Sequence, residues 1–173
     1  MALFNNPRPV VYLIILFVLI FLGAFAWNQA HSAVLEFEGG NTIVRGSTHA
    51  IGAKVVWPGS VSRIGDLGCG FLLIGTSHAP GGAEQQNQIV GHCQVIGNYP
   101  TTRWGTFSAG LGLAAIQNQD YYNSGRLNFS LMLQYKFAGA FRHAGLAYQH
   151  ISNAGTHSPN DGRDVLLATW RFE

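Results

Sequence analysis

Of 173 residues, 47% are hydrophobic and only 10% are charged, and glycine occurs 22 times. So little charge beside so much apolar surface is unusual for a soluble domain and suits a protein whose outside meets lipid. A formal net charge of +2, with no Lys/Arg cluster in the chain, argues against a nucleic-acid partner.

The first element is a targeting segment. "MALFNNPRP" carries Arg8, an apolar run follows from Val10 to Ala26, and Ala24-Phe25-Ala26 gives a small-x-small cleavage pattern. Residues 1–30 therefore read as a secretory signal peptide, cut after Ala26 or a little later, near Ala30 or Ala33. An uncleaved anchor is the competing reading, because the run is nearly long enough to span a bilayer. No second such run follows Ala33, so the exported part, residues 31–173, is either soluble or a β-barrel.

Eight strand candidates follow in order, at about residues 33–39, 49–57, 67–75, 88–97, 106–115, 126–137, 143–152 and 165–172. Alternation is clearest in the second half. In "RLNFSLMLQYKF", Leu127, Phe129, Leu131, Leu133, Tyr135 and Phe137 share one face. Arg126, Asn128, Ser130, Met132, Gln134 and Lys136 share the other. In "TFSAGLGLAA" and "VLLATWRF" large apolar side chains again alternate with small or polar ones. A soluble sandwich would alternate too, with its apolar face inward. Export, and a polar face built of small residues and charges, favour the inverse: an all-β, eight-stranded antiparallel transmembrane β-barrel, apolar outside and polar inside. Phe172, one residue from the end, resembles the terminal aromatic of outer-membrane barrels. Glu36, Lys54, His92, Gln94, Arg126, Lys136 and Arg171 are expected inside, paired with one another and with water.

Cys69 and Cys93 are the only cysteines. Their midpoint, residue 81, falls in the turn-like "SHAPGGAEQ". A hairpin closing there would oppose them on the outer face, and a cross-strand disulfide is expected. His92 has no companion at metal-ligand spacing, so its expected role is structural and no metal or cofactor is implied. His143 and His157 fall near strand ends and are read as solvated. "GTSHAPGG" lacks the strand-to-helix context of a phosphate loop.

The stretch "YQHISNAGTHSPNDGRD", Tyr148 to Asp164, gathers chemistry that the rest of the chain avoids. His150 and Ser152, two apart in a strand, point the same way, with Ala144, Leu146 and Tyr148 on the lipid side. Asp164 has the parity of Leu166, Ala168, Trp170 and Phe172, also the lipid side, and a hairpin would return it beside His150. A serine hydroxyl needs a base, and the base needs an acceptor on its other nitrogen, so the three groups can form a Ser-His-acid triad. The plain reading stands beside it: His-x-Ser is a common tripeptide, and "SNAG" and "SPNDG" are good turn sequences.

"HISNAGTHSPNDGRD" resembles the signature of the lipid A 3-O-deacylase family of outer-membrane esterases. His150, Ser152, Asn153, Ala154, Gly155, Pro159, Asn160 and Gly162 match it, and the likeness extends over about Thr106 to Phe172. The resemblance implies an eight-stranded barrel with its site on the outer wall. It implies Ser152 as nucleophile, His150 as general base and Asp164 as acid, where the best-known members carry Glu. It gives the oxyanion the backbone N–H of Gly155 and the side chain of Asn160, with Asn153 orienting the loop or the histidine, or serving only as a turn residue.

The implied reaction is hydrolysis of the 3-O-linked acyl ester of lipid A (lipopolysaccharide), in a Gram-negative outer membrane, without cofactor. Acyl chains would lie along Leu146, Tyr148 and their neighbours, with Phe129 a candidate for the groove. The resemblance also allows a homodimer. Two other readings remain open here: a non-catalytic barrel, and an esterase of another membrane lipid such as a phospholipase.

Overall fold

Strand-forming residues separated by short glycine- and asparagine-rich connections leave each backbone hydrogen-bonding edge in need of a neighbour, and closing the sheet supplies one. The computed structural model describes residues 33–43, 47–61, 65–78, 84–85, 87–118, 125–156 and 162–172. The signal segment at 1–30 lies outside the described residues, as do His157, Pro159 and Asn160.

In chain order the strands are β1 (Val34–Thr42), β2 (His49–Val61), β3 (Gly65–Ile74), β4 (Ser77–His78), β5 (Glu84–Gln85), β6 (Gln88–Thr102), β7 (Gly105–Ile116), β8 (Leu127–Phe137), β9 (Ala144–Ser152) and β10 (Arg163–Phe172). Among the described residues, eight of them close into an antiparallel barrel in the order β1-β10-β9-β8-β7-β6-β3-β2. These are the eight expected strands. The short β4 and β5 pair only with each other, as a small ribbon inside the connection expected to be a turn. A 3-10 turn, Gly139–Phe141, precedes β9.

Strand parity sorts the side chains as expected on the outside. Phe37, Ile51, Leu73, Leu111, Leu113, Phe129, Leu131, Leu133, Leu146, Leu166 and Trp170 are exposed and make the wall apolar. Cys69 and Cys93 are direct partners across β3 and β6 and form a disulfide.

The inside is polar in part, as expected, and apolar in part. Toward the end where β9 runs into β10, Ala50, Leu72, Ile74, Val90, Ala114, Ile116, Ala147, Ile151, Val165 and Leu167 form one buried cluster, with Gln88, Asn128 and Arg163 also buried there. A barrel this narrow is filled by side chains rather than water, so apolar residues serve wherever no charge needs a partner.

The ionic group lies toward the other end. Glu36 on β1 faces Lys54 on β2 and Arg171 on β10 in register. Lys54 Nζ lies 2.8 Å from Glu36 Oε1 and 2.6 Å from Glu38 Oε1, and Arg171 reaches Glu36 Oε2 at 3.4 Å. Gln134 donates to Glu36 at 2.6 Å, and Lys136 to Asn98 Oδ1 at 3.2 Å. Gln94 donates to Ser130 at 2.7 Å, and His92 is buried beside it. Arg126 corrects the expectation: it precedes β8 and is exposed, because the strand begins only at Leu127 and the parity does not extend back to it.

Candidate active site

The site is assembled by one antiparallel register. In the β9–β10 pair, Asp164 lies directly opposite His150, and Leu166 opposite Tyr148. In the β8–β9 pair, Phe129 lies opposite Ser152 and Leu131 opposite His150. Directly opposed residues in such a pair bring their Cβ atoms to about 4.5–5.5 Å. At that spacing the short aspartate reaches the imidazole: His150 Nδ1 and Asp164 Oδ1 are 2.7 Å apart. The pair is partly covered, the side chains being 33% and 19% exposed. Behind it, Ile151 and Val165 point inward and are fully buried, so the outward groups stand on a packed backing.

With Nδ1 facing the carboxylate, Nε2 is the nitrogen left for a substrate-side proton. Gly162 fixes where that nitrogen sits. A Cβ built on Gly162 would lie 2.7 Å from His150 Cε1 and 3.2 Å from both His150 Nε2 and Ser152 Cβ. By lacking a Cβ, Gly162 leaves room for the ring and the serine side by side, and Nε2 and Ser152 Cβ are no farther apart than twice the longer distance. Ser152 makes no hydrogen bond to the ring among the described residues. Its Cβ and Nε2 flank the same point. Gly162 has φ +69°, a left-handed conformation that glycine takes without strain.

The loop leaving β9 is organised by Asn153, which is buried. Its Oδ1 accepts the N–H of Gly155 at 3.0 Å, and its carbonyl accepts the N–H and the hydroxyl of Thr156 at 3.1 and 2.9 Å. This carries the chain through two consecutive left-handed residues, Ala154 at φ 52° and Gly155 at φ 80°. Asn153 thus hydrogen-bonds within this loop, while the histidine is paired with Asp164. The Gly155 N–H that the resemblance gives to an oxyanion is here donated to Asn153. Asn160 lies outside the described residues.

Two contributors are not evident from the spacing of His150, Ser152 and Asp164. One is Gly162, matched as part of the signature but without an assigned role. The other is Tyr148, whose hydroxyl donates to Asp164 Oδ1 at 2.5 Å. Its signal is the i, i+2, i+4 series Tyr148, His150, Ser152 on one face of β9. Around these polar groups the outer wall is apolar, with Phe129, Leu131 and Leu133 on β8, Leu146 on β9 and Leu166 on β10 exposed. Among the described residues no group of His, Cys, Asp and Glu side chains could hold a metal ion.

A closed antiparallel barrel with an apolar outer wall is the fold of an outer-membrane barrel. The comparisons with known proteins agree. The model of the lipid A 3-O-deacylase (PagL) family matches residues 57–173. A solved structure described as the outer membrane enzyme PagL superposes with a TM-score of 0.54 at 17% identity, covering 80% of this chain and 98% of that one. A search of curated proteins finds no match. The chain belongs to the lipid A 3-O-deacylase family, ester hydrolases of the outer membrane, and lipid A is the substrate that this membership implies. The matched region begins before β3, well upstream of the Thr106 at which the likeness first shows in the sequence.

Proposed function

We propose that the chain removes the 3-O-linked acyl chain of lipid A through Ser152, His150 and Asp164 on the lipid-facing wall. The observation that carries this reading is the 2.7 Å His150–Asp164 contact, with His150 Nε2 and Ser152 Cβ each 3.2 Å from the point a Cβ on Gly162 would occupy. Ser152 Oγ attacks the ester carbonyl while His150 Nε2 takes its proton. Asp164 accepts from Nδ1–H, which fixes the tautomer and stabilises the imidazolium. The bond from the carbonyl carbon to the sugar oxygen then breaks, and His150 returns its proton to that oxygen. Water attacks the acyl-serine, again deprotonated by His150, and a 3-hydroxy fatty acid leaves with Ser152 restored.

The tetrahedral intermediate needs donors aimed at its oxygen. Gly155 N–H is one candidate. It rests on a neutral amide oxygen of Asn153, and a charged oxyanion makes a bond roughly twice as strong, so the donor exchanges partners as charge develops. Asn160 is the second candidate by family resemblance.

The apolar strip of Phe129, Leu131, Leu133, Leu146 and Leu166 suits acyl chains already lying in the membrane. Such a substrate reaches the serine by lateral diffusion, without leaving the bilayer.

The test is mass spectrometry of lipid A incubated with the folded protein in detergent, beside Ser152→Ala. Loss of one 3-hydroxyacyl chain with the wild type and none with the variant is expected. A Ser152→Ala protein as active as the wild type would remove the serine from the mechanism.

A further inference from the structure

Asp164 Oδ1 receives two contacts from β9. His150 Nδ1 lies 2.7 Å away, and the Tyr148 hydroxyl donates at 2.5 Å. Tyr148 does not oppose Asp164 in register. Its direct partner is Leu166, so the long phenol side chain crosses diagonally by one rung to reach the carboxylate. A purely lipid-facing tyrosine has no reason to turn its hydroxyl sideways onto a carboxylate. Nor is Asp164 well served without it. A carboxylate on the apolar outer wall of a barrel is poorly hydrated and is better satisfied with hydrogen-bond donors. It also has two torsions about which its oxygens can swing away from the imidazole.

We propose that Tyr148 is a positioning residue of the deacylase: its hydroxyl anchors Asp164 so that Oδ1 stays aimed at His150. It acts through Asp164 and touches neither the serine nor the reacting ester. This inference rests on the Ser152-His150-Asp164 reading proposed above.

The experiment measures lipid A deacylation in mixed micelles, as kcat and as KM in surface mole fraction. The proteins are wild type, Ser152→Ala, Tyr148→Phe, Asp164→Ala and the Tyr148→Phe/Asp164→Ala pair, each first shown to be a folded barrel by its heat-modifiable gel mobility. Tyr148→Phe keeps the ring and its lipid contacts and removes only the hydroxyl. Its kcat should fall by about 10- to 150-fold, the range for losing one hydrogen bond to a charged group, with KM within about twofold. Asp164→Ala should lose more, and adding Tyr148→Phe to it should change nothing further, because the hydroxyl then has no partner.

An unchanged kcat in Tyr148→Phe, a loss confined to KM, or an equal loss in the Asp164→Ala background would overturn the proposal. If Ser152→Ala stays active, the triad reading itself fails. If Ser152→Ala is dead while Tyr148→Phe behaves as wild type, only the role of Tyr148 fails.

Discussion

Gly162→Ala tests whether the His150 ring must sit where the backbone of Gly162 lets it. The added methyl would lie 2.7 Å from His150 Cε1, with Nε2 and Ser152 Cβ both at 3.2 Å. Carbon contacts settle at about 3.5–4.0 Å, so the ring must retreat by about 1 Å. Ser152 cannot yield equally, because its backbone is held in β9. A displacement of that size at reacting groups costs roughly 10²-fold in rate. The substitution also carries a backbone cost, since φ is +69°, of about 1–2 kcal/mol.

Gly139→Ala separates the two effects. Gly139 lies in the β8–β9 connection, at the other end of the barrel, with φ +65° and nothing within 4 Å of an added Cβ. It shares the backbone strain without the collision. The assay is the initial rate of 3-hydroxyacyl release from lipid A, with urea midpoints in detergent for stability. Similar midpoints for both variants, and a rate loss of about 10²-fold confined to Gly162→Ala, are expected. A Gly162→Ala protein within twofold of Gly139→Ala in rate would show that Gly162 does not set the ring position.

Lys54→Met should weaken the barrel by about 3–5 kcal/mol, because it leaves Glu36 and Glu38 buried without their shared cation; a urea midpoint equal to wild type would count against the ion cluster as a structural element. Replacing Cys69 and Cys93 together by Ser opens a link with sequence separation 24 and should cost about 3 kcal/mol on the chain-entropy estimate. Deacylation by the folded double variant should be unchanged, since β3 and β6 lie away from β9 and β10 around the barrel. Equal masses of the wild-type protein after alkylation with and without reductant would contradict the disulfide.

The barrel is legible in the sequence because membrane-facing strands must alternate, and because parity survives errors in strand ends. Leu127 to Phe137 alternates without a break, and its outward and inward faces are those of the structure. What alternation cannot supply is the chemistry of the inward set. Along β9 and β10, Ala147, Ile151, Val165 and Leu167 read as the opposite face of an amphipathic strand, with nothing to show that they meet Leu72, Ile74, Val90 and Ile116 in one cluster. That meeting depends on closure, which joins strands far apart in the chain. Arg126 fails for the reverse reason: the strand starts at Leu127, so its parity does not reach Arg126.

The same division runs through the site. His150, Ser152 and Asp164 are legible because two share a strand face and the third heads the next strand, so hairpin geometry alone brings them near. Register then decides what parity leaves open. Shifting β10 by two residues against β9 would keep every side chain on its face, yet would set Leu166 opposite His150 and leave the imidazole without an acceptor. The observed register places Asp164 opposite His150 and within diagonal reach of Tyr148. It is fixed partly from within: Ile151 and Arg163 are opposed, buried and inward, with Val165 beside them. On the proposed triad, a core position such as Ile151 bears on the rate without touching substrate. Its replacement by a smaller residue loosens the pairing that sets the distance from acid to base.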